Sequence, residues 1–223
     1  MASYIGTYGE KSLHRDIKWR LEPSGAFHEA PVGKYIVDIK TETGITEIQT
    51  QSFYKLRQKL SALLADNIVT LVYPLAREKL IQWADRDSGE IISSRRSPRR
   101  GNFYTAFREL YQIKPLLTNK NLIVRIMLMD VSERRYTGDK RKRYYKADTD
   151  IRSLCGELII TGAKDYLRLI PPELKERFSS RDYAEATGLN TQNACVALNV
   201  LHHVGAVERD GKSGRFYLYT RRS

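Results

Sequence analysis

The chain has 223 residues, 41% of them hydrophobic, which suits one large or two small domains around a real core. Its formal net charge of +12 favours a polyanionic partner, nucleic acid before an anionic membrane surface. No run approaches ~18 apolar residues, the N-terminus "MASYIGTYGEK" lacks an apolar signal core, and Cys155 and Cys195 lack metal spacing; a cytoplasmic protein with reduced thiols and no membrane partner is expected.

In chain order, residues 10–21 place Leu13, Ile17 and Leu21 four apart, one face of a helix that Pro23 ends nearby. "YIVDIKTETGITEIQT", residues 35–50, reads as two strands around a "TETG" turn. "SFYKLRQKLSALLAD" has the helical period through Leu56, Leu60, Leu63 and Leu64, with Ser52 as the expected N-cap. "NIVTLVYPL" and "LIVRIMLMDV" are β-branched and apolar runs that predict strands buried on both faces. Between them, "KLIQWADRDSGEIISS" predicts a second hairpin, and "NFYTAFRELYQI" a helix stopped by Pro115. The expected division is a first domain over 1–150 and a second over 151–223.

The charge is uneven: residues 76–150 carry a net +8, against +1 before them and +3 after them. "RRSPRR" puts Arg95, Arg96, Arg99 and Arg100 around a Ser-Pro and reads as a loop. "RRYTGDKRKRYYK" holds seven basic residues, including Arg141, Lys142 and Arg143, with three Tyr able to stack on bases. Both stretches are candidate phosphate contacts; the alternative is a solvated charged loop.

The first hairpin carries the candidate chemistry. Val37 and Ile39 flank Asp38, and Ile48 lies between Glu47 and Gln49. Alternation puts Asp38 opposite its apolar neighbours and puts Glu47 and Gln49 on one face. The three polar groups can therefore converge on one side of the sheet. His14, one turn after Glu10, reads as a surface or helix-packing histidine.

With Glu10, Asp38, Glu47 and Gln49 in the order helix, strand, strand, helix, strand, the first 75 residues resemble the PD-(D/E)xK superfamily of restriction-endonuclease-like nucleases. The resemblance implies a mixed α/β sheet flanked by helices and a metal-dependent deoxyribonuclease. It implies that Asp38 and Glu47 hold Mg²⁺ or Mn²⁺ with the Ile48 carbonyl, and that Glu10 holds a second metal or a metal-bound water. Gln49 stands where Lys is usual and would orient the attacking water without Lys's charge. Lys55 and Lys59 lie on the following helix, where some members place a migrated lysine. Such an ion polarises a phosphoryl oxygen and lowers the pKa of its water, and Mg²⁺ takes a few carboxylates plus waters.

Residues 178–220 have a second grammar. Ser179 or Ser180 caps a short helix, Gly188 turns the chain, Asn190 or Thr191 caps a longer helix, Gly205 ends it, and "AVERDGKSGRFYLY" returns as a hairpin. This resembles a winged helix-turn-helix. The resemblance implies Thr191, Gln192 and Asn193 at base edges, with Lys212 and Arg215 near phosphate; a protein-contact role is the alternative. The expected function is a DNA endonuclease of repair, resolving or defence type acting on duplex or branched DNA. A homodimer would serve paired strand cuts. A non-catalytic DNA-binding regulator is the alternative, and an RNA-binding or RNA-processing factor a weaker third class.

Overall fold

A computed structural model describes residues 12–138 and 143–222. Its centre is a mixed sheet. Strands β1 (His28–Val32), β2 (Tyr35–Thr41) and β3 (Gly44–Ile48) form an antiparallel meander. Helix α2 (Arg57–Leu63) then returns the chain to β4 (Val69–Ala84), which lies parallel to β3. Strand β5 (Ile91–Arg96) folds back on the far half of β4. A helical segment around α3 (Phe107–Leu110) leads to β6 (Leu122–Thr137), parallel to β4 over its whole length, and β7 (Tyr144–Ile160) closes the sheet antiparallel to β6.

The apolar runs read from sequence become the inner strands because both of their faces are covered. On one face, Ile17 of α1 (Ser12–Leu21) packs with Ile48, Val72, Met127, Met129 and Val131. On the other, Leu60 and Leu63 of α2 and Phe107 and Leu110 of α3 pack on Leu71, Tyr73, Val124 and Ile126. Helix α1 is also pinned to β7, where Ser12 Oγ donates to the Thr149 carbonyl at 3.1 Å.

The mixed α/β sheet flanked by helices is the architecture expected at that coarse level. Five local expectations differ, the first being β1, a strand ahead of the two expected before α2. Ser52 sits at φ +60° and caps nothing, because the neighbouring amides are satisfied from afar: Phe53 N–H donates to Glu109 at 3.0 Å and Tyr54 N–H to Gln112 at 2.9 Å. Pro115 lies inside a 3-10 segment, Tyr111–Leu116, that continues from α3. Arg95 and Arg96 close strand β5, and the loop begins only at Ser97. Residues 150 and 151, the expected domain boundary, fall inside β7, whose ladder with β6 continues to Ile160.

Beyond β7 come β8 (Arg177–Ser179), α4 (Ser180–Thr187), α5 (Thr191–His203) and the hairpin β9 (Val207–Ser213) with β10 (Phe216–Arg221), giving a three-stranded sheet in the order β8-β10-β9. The caps are those expected: Ser179 accepts from the Asp182 amide while Asp182 accepts from Ser179, Gly188 takes φ +69°, and Asn190 accepts from Asn193 N–H at 2.8 Å. This block shares one apolar core with the sheet, running from Val37 through Phe107 to Leu201 and Tyr219. Polar ties reinforce the junction: Asn102 donates to the Thr187 carbonyl at 3.0 Å and Lys114 to Asn199 at 2.8 Å.

Candidate functional site

Strand β4 pairs with β3 over residues 69–72 and with β5 over residues 80–84. Between those ladders, Tyr73, Pro74, Leu75, Ala76 and Lys79 border a long cleft. Of these, Pro74 has no N–H to offer a neighbouring strand. The "RRSPRR" segment is held against the far end of this gap: Ser97 N–H donates to the Lys79 carbonyl at 2.8 Å and Gly101 N–H to the Arg77 carbonyl at 2.9 Å. Only glycine fits at 101, since a Cβ there would lie 2.2 Å from the Ala76 carbonyl oxygen.

At one end the cleft has a volume of about 600 Å³ and is bordered by Asp38, His14, Tyr73, Lys79 and Lys146. It runs into a larger basin of about 1110 Å³ that shares Lys79 and Lys146 and adds Arg95, Arg99, Arg100, Arg135 and Arg143. A third hollow joins Arg99 and Arg100 to Asn193, near the start of α5. Most of the net charge of residues 76–150 is thus gathered along one path from Asp38 to α5. Arg96 does not border it, because adjacent residues of β5 point to opposite faces.

At the acidic end, Asp38 on β2 accepts a hydrogen bond from Ile48 N–H at 2.6 Å, and His14 Nε2 lies 3.2 Å from the same oxygen. Burial pushes the Asp38 carboxyl up, but the His14 contact and charge, the Ile48 amide and Lys59 together hold it below the ordinary value. Glu47 on β3 is 4% exposed. Burial, then the Asp38 charge, push its carboxyl up to about 7 against the opposing pull of Lys59. Lys59 of α2 donates to Glu47 Oε2 at 2.7 Å and to the Ile36 carbonyl at 2.7 Å. Its ammonium also lies 2.6 Å from Glu47 Oε1, yet that oxygen is buried without a directed hydrogen bond.

The expected convergence on one face of the sheet does not form: Asp38 is met by α1 and Glu47 by α2, and those helices cover opposite faces. Asp38 and Glu47 are close enough to perturb each other, but each has its own partner, the His14 imidazole in one case and the Lys59 ammonium in the other. Gln49 turns away and donates to the Gln51 carbonyl at 2.6 Å. Glu10, Arg141 and Lys142 lie outside the described residues. Among the described residues, no three His, Cys, Asp or Glu side chains gather as a metal-binding group. Thr191 and Gln192 are exposed at the start of α5. Lys212 lies 4.7 Å from the Tyr217 ring and Arg215 5.2 Å from the Phe216 ring on the β9–β10 hairpin. Sequence patterning marked His14 as a surface or helix-packing residue, included Arg135 and Lys146 only as members of a basic stretch, and gave no sign of Lys79 and Glu133. Those four lie on three strands, and only the β4–β6–β7 register brings them together.

The family model for the domain of unknown function DUF8091 matches residues 11–160, the sheet and its flanking helices. The chain is also 30% identical over 224 residues to an uncharacterized protein of Treponema pallidum (strain Nichols), covering 96% of this chain and 86% of the relative. No solved structure matches. The chain belongs to the DUF8091 family.

Proposed function

We propose that this member of the DUF8091 family is a metal-dependent DNA endonuclease of the PD-(D/E)xK type, with its C-terminal block acting as a winged helix that positions the DNA. The observation that carries the reading is the contact between Lys59 and Glu47, 2.7 Å, beside Asp38 at the head of the basic cleft. The lysine missing at Gln49 is supplied from α2, on a helix–three strands–helix–strand order with β3 parallel to β4.

The residues present fit a hard divalent cation. Asp38 and Glu47 are both carboxylates, the donor type Mg²⁺ takes, and Glu47 Oε1 is a buried oxygen without a directed hydrogen bond, ion-paired with the Lys59 ammonium at 2.6 Å. Asp38 and Glu47 would hold the ion, which when bound polarises a phosphoryl oxygen and acidifies a water. The chain's own groups do the rest. Lys59 favours the ionised form of Glu47 and fixes its orientation, and His14 does the same for Asp38. Arg95, Arg99, Arg100 and Arg143 offset the repulsion between DNA and the acids and draw the backbone along the cleft. Asn193 and Gln192 offer amide groups for adenine edges.

The test is incubation with plasmid, branched and single-stranded DNA in Mg²⁺, Mn²⁺ or EDTA. Metal-dependent cleavage is expected, and Asp38→Ala should abolish it while binding survives. Normal cleavage by Asp38→Ala would refute the site. A second reading, a DNA-binding regulator without catalysis, draws on the engagement of Asp38 by His14 and of Glu47 by Lys59 and on the withdrawal of Gln49 to Gln51. Wild-type binding with no cleavage in any metal would favour it.

A further inference from the structure

The two parts of the cleft meet at a cluster that neither the acidic site nor the arginine loop explains. Glu133 on β6 is 3% exposed, a carboxylate sunk into the wall of a basic basin. Three cations from three strands converge on it. Lys79 of β4 donates to Oε2 at 2.8 Å, Arg135 of β6 donates to Oε1 at 2.7 Å, and Lys146 of β7 lies 3.6 Å from Oε2. Arg135 is held from a second side, its guanidinium 3.9 Å from the centre of the Tyr144 ring. Tyr144 in turn packs edge-on against Trp83. Glu133 is the only acid bordering this basin among the described residues.

A buried acid is costly unless paired and hydrogen-bonded. In a wall meant only to be positive, an apolar residue at 133 would leave the cations more repulsive to one another but the surface more attractive to an anion. The arrangement has a different logic. One carboxylate acts as a hub that draws three long, flexible side chains to a point. They then face the cleft already ordered, and less side-chain freedom remains to be lost when a ligand binds.

We propose that Lys79, Arg135 and Lys146, organised by Glu133, form a built subsite for a backbone phosphate of DNA, next to the phosphate that Asp38 faces. Lys79 and Lys146 border both parts of the cleft, so an anion seated on them lies at the passage from the acidic end to the arginine basin. Glu133 is a positioning residue: it touches the cations and acts on the ligand through them. The inference rests on the DNA-binding reading above and adds residues to it.

The sign of one measurement separates this from bulk electrostatics. Binding of a fluorescent duplex is followed in EDTA across a salt series for the wild type, Glu133→Gln and Lys146→Ala. If Glu133 merely subtracts charge, Glu133→Gln tightens binding and steepens the log-affinity against log-salt line. If it organises the subsite, Glu133→Gln weakens binding although the protein is more positive. The slope falls by about 0.9 for each phosphate no longer neutralised, which corresponds to about eightfold in affinity at 0.1 M salt. Lys146→Ala, whose side chain is a third exposed, tests the subsite directly and should show the same fall of about 0.9 in slope with an unchanged melting temperature. If Glu133→Gln fails to fold by circular dichroism, Lys146→Ala and Lys79→Ala decide. A wild type that binds while both folded variants bind equally well or better overturns the inference alone. A wild type that binds no DNA overturns the functional reading on which it rests.

Discussion

Replacing Glu47 with Gln should make the protein more stable, and increasingly so as the pH rises. The Glu47 carboxyl is pushed from an ordinary value of 4.5 up to about 7 by burial and by the Asp38 charge. A raised folded-state value means that the native protein holds a proton which the unfolded chain has released. Stability is therefore lost as pH climbs from about 4.5 to about 7 and is flat above. At 1.36 kcal/mol per unit the full loss is about 3 kcal/mol, with under a third of it incurred by about pH 5. Gln copies the shape of the protonated acid, and its side-chain oxygen can still accept from Lys59. The variant should gain roughly 1 kcal/mol over the wild type at about pH 5 and about 3 kcal/mol at about pH 8. For a chain of this size that is a rise in Tm of about 6–12 °C at the higher pH. Urea or thermal unfolding in EDTA at the two pH values measures it. Because a metal stabilises only the state that binds it, Mg²⁺ should narrow the gap at pH 8 by raising the wild type alone. A gain that does not change with pH, or a variant less stable than wild type at pH 8, would refute the reasoning.

Lys59→Met should leave Glu47 buried without its cation and cost about 1–3 kcal/mol at pH 8; Glu47→Gln in the same chain should recover most of it, read by the same unfolding curves. Replacing Arg95, Arg99 and Arg100 with Ala should each lower the salt slope of duplex binding by about 0.9, whereas Arg96→Ala, off the cleft, should leave it unchanged. Asn193→Ala should relax sequence preference by about 1–3 kcal/mol in a competition assay without altering the salt slope, since no charge is removed. Equal effects of Arg96 and Arg95 substitutions would remove the cleft as the binding path.

Much of the fold was legible because burial on two faces writes itself into the chain. The runs that became β4 and β6 are apolar without alternation, and the leucines of α2 repeat at helical spacing, so their types could be read directly. What stayed hidden was how far the strands extend. The second half of β4 was read as part of a separate hairpin, and the end of β6 with the start of β7 is strongly charged, which reads as loop. They are strands because each supplies the other's ladder from Leu80 against Ser132 to Ala84 against Tyr136, with ion pairs such as Lys79–Glu133 between neighbours. The sheet therefore runs through the place where a domain boundary was expected.

The site shows the same division between local and long-range information. Asp38 and Glu47 were visible because an acid inside an apolar strand is a local anomaly. Their pairing was not: Lys59 entered only through the resemblance, as one of two helix lysines, and His14 only as a helix-packing or surface histidine, until the sheet places those helices on opposite faces. Once it does, α1 delivers an imidazole to Asp38 and α2 an ammonium to Glu47. This also accounts for the uncommitted Gln49. With Lys59 reaching in from the helix, no cation is needed at the strand position, and the amide is left to fasten the chain at Gln51. A carboxylate held largely buried at an energetic cost, beside a cation drawn from another element and near Asp38, which borders a basic cleft, is poorly explained by stability alone. The cost points to a task for the charge, and the stabilisation expected of Glu47→Gln together with loss of cleavage would be the signature of that task.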